Sequence, residues 1–227
     1  MDWFRAVNSY CERTDASFWS EPLNALSNAA FLLAAWSSWR LARRYGDRGG
    51  QLLALILAAI GVGSFLFHTV AQIWAMVADV VPIQVFILVY LALATERFFG
   101  VSRWAGAAAA AAFVPVSALL AAGLAAVVGP LNGSTGYLPV PLLIALYAAA
   151  LRKRAPAAAR GLAVGAALLA LSLVLRSVDQ AACATFPRGT HFLWHILNAV
   201  MLGWMIRVLV VRRPGAGGAL ARAGGVG

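Results

Sequence analysis

Charge is scarce in this sequence. Only 11% of its 227 residues are Asp, Glu, Lys or Arg, while 62% are apolar and the mean hydropathy is +0.81. A soluble domain of this length could not hide so much apolar surface, so the composition excludes a soluble globular protein and indicates a polytopic membrane protein. The formal net charge of +10 is no signature of nucleic-acid binding, because the cations fall in short clusters between apolar runs, where they report topology. Lysine is nearly absent. The single one, Lys153, lies in a connection between apolar runs, which excludes a retinal-binding protein with its lysine in a late helix. The N-terminal tail lacks a basic region and a small-residue cleavage site, so it reads as a retained, short translocated segment and not a signal peptide. Histidine is also rare. There are three, His68, His191 and His195, and all sit in apolar stretches, where imidazoles are uncommon and point to a joint role.

A membrane-spanning helix needs roughly 20 apolar residues to cross a core of about 30 Å. Seven runs qualify, at approximately 22–40, 51–70, 73–95, 104–128, 137–151, 160–178 and 191–211, the fifth being short and bounded by Pro139 and Pro141. The predicted fold is an all-α membrane protein, a bundle of seven transmembrane helices. Fourteen of the 18 basic residues fall on one side of this arrangement, in the clusters Arg40 to Arg48, Arg97 and Arg103, Arg152 to Arg160, and Arg207 to Arg222. The other side receives Arg5, Arg13, Arg176 and Arg188. The positive-inside rule then puts the N-terminus outside and the C-terminus in the cytoplasm. Residues 1–21 form an extracytoplasmic segment, 22–212 the bundle, and the Gly-rich 213–227 a flexible cytoplasmic tail. The arginine-rich, alanine-rich composition suggests a bacterium of high GC content, and hence its inner membrane.

This topology gathers the unusual polar groups. Ser64 and His68 of GVGSFLFHT share a face near the outer end of the second helix, Asp79 lies in the first two turns of the third, and His191 and His195 of GTHFLWHILNA share a face at the start of the seventh. Two histidines at i and i+4 can ligate one metal ion, and a third from a neighbouring helix leaves tetrahedral zinc an open position for water, whose pKa falls to about 7. The zincin motif HExxH carries its own base, whereas HFLWH has Phe192, Leu193 and Trp194 between its histidines. The base must come from elsewhere, and Asp79 is the one carboxylate well inside an apolar segment. Ser64 is placed to donate to a developing oxyanion. Metal-assisted hydrolysis of an acyl bond fits this set, with the site toward the outer side. Taken singly, the residues have plainer readings: HxxxH also suits a bis-histidine haem site, and a membrane serine commonly bonds its own helix.

GVGSFLFHT, the ADVVP stretch with Asp79 eleven residues after His68, and THFLWHILNA together resemble the alkaline ceramidases. These belong to a superfamily of seven-helix membrane hydrolases that includes adiponectin and progestin receptor-like proteins. The likeness extends from the CER and FWSEPLNALSN segments to the final apolar run. It implies that His68, His191 and His195 bind zinc, that Ser64 steadies the oxyanion and that Asp79 acts on the zinc water. The implied reaction is hydrolysis of the amide of ceramide or another N-acyl lipid, with a membrane lipid as partner and neither nucleic acid nor a protein partner evident. A receptor-like or transport protein with a structural zinc is the alternative on the same scaffold.

The resemblance carries two further expectations. Animal alkaline ceramidases hold a calcium ion on N-terminal acids, and Glu12 and Glu21 match two of these, with Asp15 as a third candidate; Ser9 and Thr14 depart from the pattern. The plain reading of these acids is a solvated cluster at a helix start. A disulfide between Cys11 and Cys183 is also implied, on a side of the membrane that permits one.

Overall fold

The computed structural model describes residues 2–211, and apart from one isolated bridge its regular structure is helical throughout. The tail expected over 213–227 lies outside the described residues. The helices are α1 (Pro22–Ser27), α2 (Ala29–Arg44), α3 (Arg48–Val70), α4 (Ile73–Phe99), α5 (Arg103–Val128), α6 (Pro139–Leu151), α7 (Pro156–Ser177), α8 (Asp179–Ala182) and α9 (His191–Val211), with a 3-10 turn over Leu131–Tyr137 before α6.

Among the described residues, six stretches are long and apolar enough to cross a membrane: α3, α4, α5, α6 taken with its preceding turn, α7 and α9. The protein is therefore a multi-pass membrane protein. The first expected segment, 22–40, is instead a helix broken at Asn28. The cause is local: Asn28 Nδ2 and Ser27 Oγ both donate to the Asn24 carbonyl at 2.8 Å. The Asn28 N–H turns to Ala25 O at 3.3 Å, so side chains take over a helical acceptor and α1 separates from α2.

α3 starts under the Asp47 cap, which accepts from Gly50 N at 2.8 Å, and ends at Ala71 in the left-handed region with φ 49°. The N-terminal segment lies along the turn that follows. Val7 N donates to Ala71 O at 2.8 Å and Ile73 N to Arg5 O at 3.2 Å, so the turn's exposed backbone groups find partners. At the far end of the same helix pair, Arg97 of α4 grips both Asp47 oxygens, at 2.7 and 3.0 Å.

Two close approaches set the bundle. A side chain at Gly63 of α3 would collide with the Ala78 carbonyl of α4, and one at Gly161 or Gly165 of α7 would meet Val208 or Met205 of α9. Leu53, Leu57 and Ile60 of α3, Leu162 of α7 and Ile206 and Leu209 of α9 fill the centre. Outward faces stay apolar, as with Leu119 and Val127 of α5, which are 74% and 83% exposed and would be costly in water. Buried polar residues are concentrated at one end. Ser64, His68, Asp79, His191 and His195 collect where α3 ends and α4 and α9 begin, while Arg48, Arg97, Arg160 and Arg207 lie toward the opposite helix ends.

Candidate metal centre

His68 comes from the last turn of α3, and His191 and His195 come from the first two turns of α9. Their ligand nitrogens lie within 4.8 Å of one another, and each side chain is at most 1% exposed. Two rings are aimed by hydrogen bonds from outside. His68 Nδ1 lies 2.6 Å from Glu21 Oε2, and His195 Nδ1 lies 2.7 Å from Ser27 Oγ. Each bond fixes a ring orientation and turns the other nitrogen inward, the usual support for a metal-ligating imidazole. His68 Nε2 is buried without a protein partner, and His195 Nε2 is 3.4 Å from Ser64 Oγ. His191 is held differently: its ring stacks between Tyr10, centroids 3.6 Å apart, and Trp194, 5.0 Å away, and its Nδ1 is also buried without a partner.

Buried polar nitrogens normally have partners, so orphans converging in a three-histidine cluster are a demand the protein itself does not meet. Three neutral imidazoles with an open fourth direction are the donor set of a catalytic zinc site. The residues present fit such an ion.

Asp79 reaches the cluster from α4. The absence of a side chain at Gly63 lets the two helices touch at Ala78, which brings the Asp79 carboxylate to face the Ser64 hydroxyl. Its Oδ1 is buried and accepts from no protein group. All five polar residues singled out in the sequence therefore meet at one site.

The three candidate calcium acids do not meet. Both Glu12 oxygens accept backbone N–H groups of α1, from Leu23 and Asn24 at 2.8 Å each. Asp15 is exposed and accepts from Ser17 N at 2.8 Å; the short bonds to Ser17 outweigh its slight burial and hold its carboxyl below the ordinary range. Glu21 Oε1 takes Arg13 Nε at 2.5 Å, and Oε2 takes Asn24 Nδ2 at 3.0 Å besides His68. Burial opposes the Glu21 charge, but His68, Asn24 and Arg13 together hold its carboxyl below the usual carboxylate range. Arg13 completes its own shell with the carbonyls of Asp15, Ser17 and His68, at 3.2, 3.5 and 3.0 Å. A buried guanidinium thus stands among the acceptors a cation would need. In this arrangement Arg13 supplies the positive charge beside Glu21.

Cys11 and Cys183 are joined as a disulfide, with Cα atoms 5.4 Å apart. Asp179 reinforces the link, accepting from Cys11 N at 3.0 Å through one oxygen and from Thr190 N and His191 N at 2.7 and 3.0 Å through the other. The N-terminal segment, α8 and the start of α9 are therefore one tied unit over the histidines. Tyr10 is its lid residue. Burial pushes its phenol up, against the pull of Arg176, so it stays neutral while Arg176 Nη2 donates to it at 3.3 Å.

Sequence reasoning did not find Ser27, Asp179, Tyr10 or Arg176, and it gave Glu21 a different task. Of these, only Glu21 carried a signal, as a carboxylate beside an apolar run.

The chain matches the Ceramidase family model over residues 7–213. A comparison with curated proteins finds no match. The matched stretch takes in every residue of the histidine cluster and almost all of the chain, and the protein belongs to the Ceramidase family.

Proposed function

We propose that the protein is a zinc-dependent intramembrane hydrolase that cleaves the amide of ceramide or a related N-acyl lipid to an amine lipid and a fatty acid. The observation that carries this reading is the buried triad His68, His191 and His195 beside a carboxylate oxygen of Asp79 that no protein donor occupies. Family membership supports the amide as the bond attacked. Held by the three histidines, zinc supplies Lewis acidity, which lowers the pKa of water to about 7 and polarises a carbonyl. The protein's own groups do the rest. Asp79 takes a proton from the attacking water and returns it to the departing amine nitrogen, work its unoccupied Oδ1 leaves it free to do. Ser64 donates to the carbonyl oxygen as negative charge grows there. Glu21 and Ser27 keep the rings of His68 and His195 in place.

An apolar cavity lies between α4, α6, α7 and α9, lined by Phe86, Leu143, Ile144, Met201 and Met205 among others. It suits a hydrocarbon chain. Tyr137 and Trp194 line both this cavity and the more polar one that Asp79 lines, so a chain in the first leads to chemistry in the second. We read α1 and α2 together as the seventh membrane crossing, with the histidine end outside and the cationic end in the cytoplasm of a bacterial inner membrane. Stripping metal from the purified protein is expected to abolish N-acyl lipid hydrolysis, followed by mass spectrometry, and added zinc to restore it. Turnover that survives complete metal removal contradicts the reading.

A further inference from the structure

Arg176 of α7 is the cation this mechanism leaves unused. Its Nη2 donates to the Tyr10 phenol, but Nε and Nη1 are buried with no partner in the protein. It makes no ion pair either, the pairs among the described residues involving Arg13, His68 and Arg97, and Asp79 acts on its charge only across the shared cavity. Arginine does not shed its proton, so buried, unmet donors on a full charge are costly. The surroundings are nevertheless built around it. Its Cζ lies 5.2 Å from the Tyr137 ring and 5.7 Å from the Trp194 ring, which stabilises the charge across the faces of the guanidinium without using its N–H groups. Asn132 Nδ2 donates to the Arg176 carbonyl at 3.1 Å, and Gly133, at φ 76°, leaves the guanidinium room that a Cβ 3.3 Å from Nη2 would crowd. Arg176 and Asp79 line the same cavity.

We propose that Arg176 binds a carboxylate on the lipid, and that the preferred substrates are N-acyl amino acids, whose carboxylate stands one carbon from the amide nitrogen. This rests on the amidohydrolase reading above. With the amide beside Asp79 and the acyl chain in the apolar cavity, the amine portion of the substrate occupies the cavity that Arg176 lines. Water adds its oxygen to the acyl carbon, the C–N bond breaks, and the nitrogen takes the proton, giving a fatty acid and a free amino acid. The same chemistry would also hold the carboxylate of the fatty acid product, and the experiment separates the two sources.

Zinc-loaded, full-length protein is assayed with N-palmitoylglycine against N-palmitoylethanolamine, which shares the chain and lacks the charge. The wild type is expected to prefer the glycine conjugate. Arg176→Gln is expected to lower the ratio of the two kcat/KM values roughly 10- to 100-fold, and Arg176→Lys to lower it less, in keeping with loss of charge-assisted hydrogen bonds. Because both substrates are measured on one preparation, the ratio is independent of the folded fraction. Binding of palmitate against hexadecanol is measured in parallel. A wild type without preference, or a ratio that Arg176→Gln leaves unchanged, overturns the substrate claim; if palmitate binding alone weakens, the carboxylate is the product's. If no amide is cleaved yet palmitate binding depends on Arg176, the hydrolase reading fails and the carboxylate site stands.

Discussion

The histidines are held by residues that come from far away in sequence. Glu21 precedes His68 by 47 positions, and the bond between them exists because α1 enters the bundle beside the end of α3. Replacing it by glutamine keeps the shape but weakens the acceptor, so Glu21→Gln is expected to lower zinc affinity by roughly 10- to 100-fold, measured by competition with a chromogenic chelator. Affinity unchanged from wild type would leave Glu21 a structural role only. At this scale the sequence is most readable where polarity is rarest. Ser64, His68, Asp79, His191 and His195 stand out because an apolar helix gives a polar residue nothing to do unless it has partners, and the fold brings all five together. Ser27 and Arg176 were not readable, since a serine near a helix end and an arginine near a loop are ordinary until the packing shows what they face.

Among the elements, the contact between α3 and α4 controls the relation of Ser64 and His68 to Asp79. It depends on Gly63, where a methyl group would press on the backbone carbonyl of Ala78, which cannot rotate away as a side chain could. Gly63→Ala is expected to cost about 1–3 kcal/mol of stability as an overpacking change, seen as a lower thermal midpoint, and to reduce turnover. Neither effect would appear if the helices were free to separate at no cost. The N-terminal segment is the second controlling element, and here Arg13 provides the positive charge. Calcium or a calcium chelator is therefore expected to leave the thermal midpoint unchanged, whereas Arg13→Gln lowers it; a midpoint that rises with calcium would restore the ion to this site. Helix limits followed hydropathy closely for the six long spans. The break at Asn28 did not, because it arises from side chains competing for the Asn24 carbonyl, an event that averaged apolarity does not register.

As a whole, the molecule is polarised along its bundle axis. One end holds the buried histidines under a strap tied down by the Cys11–Cys183 disulfide and Asp179, and the other carries the arginine clusters and the Asp47–Arg97 pair. This division was legible in advance, since alternating helix direction sorts charged connections to one side and the polar motifs to the other. What was not legible was how the N-terminal strap closes over the site, because its contacts are backbone pairings and caps spread over the length of the chain. The central claim is that the histidine cluster holds a metal for hydrolysis rather than for structure, and Asp79→Asn tests it most directly. The substitution leaves the three ligands untouched. The account predicts zinc content equal to wild type together with a loss of N-acyl lipid turnover of roughly 10²- to 10⁴-fold. Full turnover in a zinc-replete Asp79→Asn protein would contradict it.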